Sequence, residues 1–205
     1  MLEVVVTPAL AFIAAYLLGS ISASYVAGRV AGMDLRDHGS RSLGATNVWR
    51  VLGPKYAVPA GLFDVAKGTV GSLVLGPAAG HEVWMPYAAG AATILGHVFP
   101  LFLRFKGGKG VATAAGVLLG LAPKAVGMSA LAWAGVLAMT GYVSVASMSA
   151  ALLFPVAAWL LESADAALVL TGVAVAVFVT YTHRANIRRL LDGTESRFGR
   201  RRKAA

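Results

Sequence analysis

No cysteine occurs among the 205 residues, which excludes disulfides, thiolate nucleophiles and thiolate metal sites. Charge is also scarce. Charged residues make up 13% of the chain, against about 25% in a soluble domain. The four histidines are scattered, and no HExxH motif or acidic cluster accompanies them, so neither a metal nor a cofactor is expected. Internal repeats and low-complexity linkers are absent too. The N-terminus carries Glu3 and no Lys or Arg ahead of its first apolar run, so it lacks the charged opening of a signal peptide and reads as a retained span. What is abundant is hydrocarbon: 58% of residues are hydrophobic and the mean hydropathy is +0.72. This composition describes an all-α, polytopic integral membrane bundle. We expect a single membrane-embedded domain over residues 1–205, with a flexible basic tail at 198–205.

The net charge of +9 would suggest nucleic acid in a soluble protein. Here it reads as anchorage to the cytoplasmic membrane face and its anionic lipids, and no nucleic-acid partner is expected. A spanning helix needs about 20 mostly apolar residues. Seven stretches qualify or nearly do: Val4–Val30, Tyr56–Leu75, Val83–Leu103, Val111–Ala122, Ala125–Tyr142, Val143–Leu161 and Ala166–Tyr181. The fourth is too short to cross unaided. Sixteen of the eighteen basic residues fall in three segments, Arg29–Lys55, Arg104–Lys109 and the tail from Arg184. Seven spans place all three on one side. Basic loops stay inside, so these segments and the C-terminus are expected in the cytoplasm, with the N-terminus outside. A six-span chain would put the tail opposite the first two.

Three polar islands interrupt the hydrocarbon. The first, His38–Arg50, offers hydroxyls on Ser40, Ser42 and Thr46, the Asn47 amide, and guanidiniums on Arg41 and Arg50. Gly39 and Gly44 permit close backbone approach to a ligand, and such turns bind anions. The alternative is a capped turn in which Thr46 or Asn47 starts a helix. The second, FKGGKGVAT from Phe105 to Thr113, frames Lys106 and Lys109 with Gly107, Gly108 and Gly110 ahead of an apolar helix. Backbone amides, ammonium groups and a helix N-terminus together suit a phosphate, although the sequence is not a P-loop; the alternative is a basic interfacial turn. The third, Thr182–Arg197, sets His183 and Asn186 three apart on one helix face. His183 reads as a base, a phosphate donor or an interfacial residue, a lone histidine being more often structural, and the same holds for His97. Arg188 and Arg189 read as headgroup contacts. Within the second span, Asp64 and Lys67 share a face, as an ion pair orienting the helix or as a functional pair. Glycines inside spans read as close helix packing.

HGSRSLGATNVWRVLG, GHVFPLFLRFKGGKGVAT and HRANIRRLLDGTESRF resemble the three signature regions of the bacterial membrane glycerol-3-phosphate acyltransferases that take their acyl group from acyl phosphate. The resemblance runs in order from Leu17 to about Phe198. It implies seven spans in the inner membrane and a cytoplasmic active site. It also implies transfer of a fatty acyl group to the sn-1 hydroxyl of glycerol 3-phosphate, with lysophosphatidic acid and inorganic phosphate as products. This is the first step of phospholipid synthesis. The substrates and membrane lipid are the implied partners, with a functional link to an enzyme that makes acyl phosphate. By matching position, Ser40, Arg50, Lys106, His183 and Asn186 are the implied catalytic residues. Thr46, Asn47, Gly107, Gly108, Lys109, Gly110, Ser144 and Glu195 are the implied binding residues.

Two departures stand out. The family's usual GSGN appears as Gly39, Ser40, Arg41 and Ser42, and Thr182 stands where a basic residue commonly precedes the histidine. No histidine is followed five positions later by Asp, so the general-base motif of acyl-CoA-dependent acyltransferases is absent. A carrier for a phosphorylated metabolite would use the same basic loops, but such carriers often show repeats or broken midplane helices, which the sequence lacks. A lipid-binding assembly factor leaves His183 and Asn186 unexplained.

Overall fold

The computed structural model describes residues 7–162 and 165–199. Glu3, residues 200–205 of the tail and their basic cluster lie outside the described residues. Every regular element among the described residues is helical, as the composition requires. They fall into two compact units, divided between Leu121 and Ala122.

The first unit holds α1 (Pro8–Ser20), α2 (Ala23–Val30), α3 (Ala45–Leu52), α4 (Pro54–Val70), α5 (Gly76–Ala79), α6 (Met85–Val98) and α7 (Val111–Leu121). A π-helical turn over Gly71–Leu75 joins α4 to α5, and a 3-10 turn over Leu101–Leu103 follows α6. Small residues set the packing. Side chains on Gly19 or Gly96 would strike the facing backbone of α6 or α1, and side chains on Gly68 or Gly116 that of α7 or α4. In lipid, such direct backbone approach supplies the dispersion that a hydrophobic driving force does not. Hydroxyls fasten the α4–α7 seam: Thr69 Oγ1 donates to the Gly116 carbonyl at 2.9 Å, and Ser72 Oγ to that of Val117 at 3.2 Å.

The first expected span is broken at Ile21–Ser22. Ser22 caps α2 by accepting from the Tyr25 amide at 3.2 Å. A break at membrane depth exposes carbonyls that need donors. Lys67 supplies them, giving its ammonium to the carbonyls of Gly19 at 3.0 Å and Ile21 at 2.8 Å. The same ammonium pairs with Asp64 at 2.9 Å, with both side chains at most 2% exposed. The two charges are thus an internal ion pair that also satisfies the helix break.

The second unit contains α8 (Pro123–Thr140), α9 (Val143–Leu161), α10 (Ala166–Thr182) and α11 (Arg184–Leu191). Glu162, just after α9, caps α8 by accepting from the amides of Lys124 at 2.8 Å and Ala125 at 3.3 Å. Trp133 Nε1 donates to Ser147 Oγ at 3.2 Å across the same pair. Helices α10 and α11 meet at His183 with a bend of 57°.

Among the described residues, four stretches are long and apolar enough to cross a membrane: Pro8–Val30, Pro54–Ala79, Met85–Leu103 and Val143–Leu161. Counting the bent α10–α11 pair as one span makes five. Seven crossings are compatible with this arrangement but require α7 and α8 as well. The 11 residues of α7 reach only about 16 Å at 1.5 Å per residue, well short of a hydrocarbon core about 30 Å thick.

Candidate active site

The first island is a braced loop. It runs from the end of α2 to α3, whose N-cap is Gly44 with no side-chain hydrogen bond. Neither Thr46 nor Asn47 caps the helix, contrary to that alternative; both lie inside its first turn. The Asn47 side chain turns back instead. Its Oδ1 accepts from the Ser40 amide at 2.8 Å, and its Nδ2 donates to the carbonyls of Leu35 at 3.2 Å and His38 at 3.1 Å. Leu35, Leu43 and Val48 are buried with Ala57, Ala60 and Leu103, giving the loop its own apolar core. Ser40 and Thr46 are half-buried, and Arg41 and Arg50 are exposed. Arg41 occupies the left-handed region at φ 60°. The position where the family's usual motif has glycine therefore keeps a glycine-like backbone.

Asp34 anchors the loop's start. Its carboxylate accepts from the Arg36 guanidinium at 2.6 Å and from the Arg36 amide at 2.9 Å. These hydrogen bonds, first from the side chain and then from the backbone, hold its carboxyl down to about 2.

The second island folds back on the end of α6. The Phe105 amide donates to the Pro100 carbonyl at 3.0 Å, that of Gly107 to Val98 at 3.2 Å and that of Gly108 to His97 at 3.1 Å. The Gly107 and Gly108 amides therefore do not face a ligand, which corrects that part of the expectation. These glycines are needed for packing: a side chain on Gly107 would meet the His97 and Val98 carbonyls, and one on Gly108 would meet the His97 ring. Lys106 is exposed, Lys109 is half-buried, and Gly110, at φ 84°, leads into α7. Arg104 and Phe105 are both left-handed, at φ 54° and 60°. The Leu43 amide donates to the Gly107 carbonyl at 3.4 Å. With Leu103 in the first loop's core, this bond fastens the first two islands together.

The third island forms a cluster in the second unit. Glu195 lies at its centre with its side chain 7% exposed. Its Oε1 accepts from Asn186 Nδ2 at 2.6 Å and Ser144 Oγ at 2.9 Å, and its Oε2 accepts from Arg189 Nε at 2.6 Å. Burial pushes its carboxyl upward, but the hydrogen bonds from Asn186, Arg189 and Ser144 outweigh it and hold the group below the usual carboxylate range. The expected residues Ser144, Asn186 and Glu195 thus meet in space. Asn186 Oδ1 is buried without a hydrogen-bond partner. His183, 2% exposed, joins α10 to α11, with its Nδ1 2.8 Å from the Val179 carbonyl. That contact favours the tautomer protonated at Nδ1, with the ring's lone pair on Nε2. The Phe198 amide donates to the Gly141 carbonyl at 2.7 Å, and the Arg197 guanidinium sits 5.2 Å over the Tyr142 ring, fixing the island to the α8–α9 corner.

Two features escaped sequence reasoning. Arg189, expected among the lipid headgroups, instead holds Glu195. Opposite charges six apart across Gly193, which turns at φ 66°, were the available signal. His97 Nδ1 lies 3.3 Å from Asp64 Oδ1, and no local pattern announces a pair 33 residues apart in sequence. No group of His, Asp and Glu suited to a metal ion occurs among the described residues.

Comparison with known proteins gives concordant results. A family model described as glycerol-3-phosphate acyltransferase matches residues 9–193. A glycerol-3-phosphate acyltransferase from Desulforudis audaxviator is 47% identical over 184 residues, covering 89% of this chain and 91% of the relative. One from Chlorobaculum parvum is 41% identical, covering 91% and 95% respectively. Among solved structures, the chain resembles the crystal structure of PlsY (YgiH), an integral membrane glycerol 3-phosphate acyltransferase. Against its glycerol 3-phosphate form the TM-score is 0.88 at 39% identity, with 94% of this chain and 96% of that one covered. Against its lysophosphatidic acid form the TM-score is 0.85 at 38% identity, with 94% and 95% covered.

Proposed function

Because the chain belongs to the glycerol-3-phosphate acyltransferase family, we propose that it transfers a fatty acyl group from acyl phosphate to the sn-1 hydroxyl of glycerol 3-phosphate. The products are lysophosphatidic acid and inorganic phosphate. The observation that carries this reading is the bond between Leu43 and Gly107. It makes one braced surface of two loops that bear Ser40, Thr46, Arg50, Lys106 and Lys109. A fixed array of cations and hydroxyls suits two phosphorylated substrates, and it offsets the charge that grows on a departing phosphate.

In the reaction the sn-1 oxygen attacks the acyl carbonyl carbon, and the bond from that carbon to the phosphate oxygen breaks. The hydroxyl proton passes to the donor's own phosphate, or to His183 through Nε2 in the competing version. Phosphate is already a good leaving group, which fits the absence of a histidine followed five positions later by Asp. We assign Ser40 to holding phosphate rather than to covalent attack: the nearby His38 has its Nδ1 2.9 Å from the backbone carbonyl of Asp34 and not from a carboxylate, so no His–Asp partner stands beside it. Asn47 shapes the loop under Ser40, and Gly107, Gly108 and Gly110 shape the turn that presents the lysines. In the second unit Glu195 holds Asn186 and Ser144, leaving Asn186 Oδ1 as an acceptor for a glycerol hydroxyl. We assign the acyl chain to the apolar groove of about 420 Å³ lined by Ile21, Val26, Tyr56, Pro59 and Phe63, with Lys55 also on its lining.

We place the protein in the inner membrane as a single acyltransferase domain of seven spans, with its N-terminus outside and its basic loops and C-terminus in the cytoplasm. The sorting of basic residues supports this orientation. A partner enzyme would supply acyl phosphate. The test mixes purified protein, acyl phosphate and labelled glycerol 3-phosphate without acyl-CoA. Labelled lysophosphatidic acid is the expected result. Uptake of unmodified glycerol 3-phosphate into sealed vesicles, with no acylation, would overturn it in favour of a carrier.

A further inference from the structure

Three titratable groups of the first unit, Asp64, Lys67 and His97, are buried and have no part in the chemistry above. They lie in a row. Lys67 holds the carbonyls at the α1–α2 break and pairs with Asp64. Asp64 Oδ1 lies 3.3 Å from His97 Nδ1, with the His97 side chain 4% exposed. Neither of those two atoms has a well-aligned hydrogen-bond partner, so the contact is one of charge and dipole. Beyond the ring stands the lysine turn. His97 Nε2 occupies the space that a side chain on Gly108 would take, and the His97 carbonyl accepts the Gly108 amide at 3.1 Å.

We propose that Asp64 and His97 are positioning residues for the Lys106–Gly110 turn. The inference rests on the reading of that turn as the phosphate-holding segment. Asp64 orients the imidazole, favouring a proton on Nδ1, and the ring then serves as the plate on which Gly108 rests. The height of that plate sets where the Lys106 and Lys109 ammonium groups meet a phosphate. Without the carboxylate, a protonated Nδ1 would be buried with no acceptor, and the ring would turn into the space against Gly108. A shift of about 1 Å in a positioning group can cost a hundredfold in rate, so a modest rotation is enough to register in kinetics.

The test uses the full chain purified in detergent, with glycerol 3-phosphate and acyl phosphate varied separately. In His97→Ala we expect the KM for at least one of the two to rise and kcat/KM per folded molecule to fall tenfold or more. His97→Asn, whose amide reaches the position of Nδ1 and restores a donor to Asp64, should recover part of the loss. A second route avoids removing the ring. The double variant Asp64→Leu, Lys67→Met leaves neither a lone buried charge nor an acceptor for His97 Nδ1, and it should show the same KM rise. A purely structural pair would lower the amount of folded enzyme and leave both KM values unchanged. Unshifted KM values in the folded fraction of both variants would overturn the inference while leaving the reaction itself intact. Failure of the unaltered chain to acylate would instead remove the reading on which the inference rests.

Discussion

Asn47 Oδ1 accepts the amide hydrogen of Ser40 at 2.8 Å, bridging seven residues of an otherwise irregular loop. Asn47 is 1% exposed, and its Nδ2 is also committed to backbone carbonyls. Truncation therefore strands buried backbone groups, each at a cost of about 1–3 kcal/mol. Asn47→Ala should lower both Tm and turnover. Asn47→Asp keeps the acceptor for Ser40 but loses the donors to Leu35 and His38, so it should retain only part of the stability. Thermal unfolding in detergent, read beside acylation rate, separates the two variants.

Arg41 is exposed and left-handed, at φ 60°. That backbone costs a residue with a Cβ about 1–2 kcal/mol, and glycine returns part of the difference through its freer unfolded chain. Arg41→Gly should raise stability by up to about 1 kcal/mol. The outcome for activity decides whether the guanidinium contributes a phosphate contact: an unchanged KM for both substrates assigns it none.

The Glu195 carboxyl is depressed by its hydrogen bonds, so its stabilising contribution is present above the ordinary carboxylate value near 4.5 and is lost as pH falls through the lowered folded value. Tm should hold from neutral pH down to that region and then decline. Glu195→Gln should be less stable than the parent at pH 7, and the gap should narrow in acid. A gap independent of pH would contradict the ionised network of Asn186, Arg189 and Ser144.

Arg50 and Lys106 are exposed, and charge-assisted contacts contribute about 1.5–3 kcal/mol. Arg50→Ala and Lys106→Ala should therefore each lower kcat/KM about tenfold or more, with little change in Tm. Near-parent activity in both variants would sink their assigned phosphate roles.

The ion pair inside the first unit invites a double-mutant cycle. Lys67→Met alone leaves the Asp64 carboxylate buried without its cation, a loss of about 3–5 kcal/mol. Adding Asp64→Asn should recover a substantial part of it. Detergent Tm values for the two single variants and the double report the coupling.

Hydropathy made the helical membrane architecture legible, and the polar islands exposed most candidate positions. The details that escaped share a cause: they depend on which elements become neighbours. Asp64 and Lys67 advertised themselves by spacing on one helix, but their third member, His97, comes from another. Gly107 and Gly108 looked like frames for a ligand, whereas their amides close a turn against α6. Thr46 and Asn47 looked like helix caps because their side chains suit that role; Gly44 takes the position, and Asn47 ties the loop instead. The break at Ile21 was hidden because apolar composition marks a span without revealing whether its hydrogen-bond ladder is continuous.

The glycine seams of the first unit close certain routes for the substrate's hydrocarbon tail. Where Gly19 and Gly96 press α1 against α6, and Gly68 and Gly116 press α4 against α7, a methylene chain finds no passage between the helices. Lipid traffic must go around these seams. Enlarging one of these glycines would pry the walls apart rather than trim a doorway.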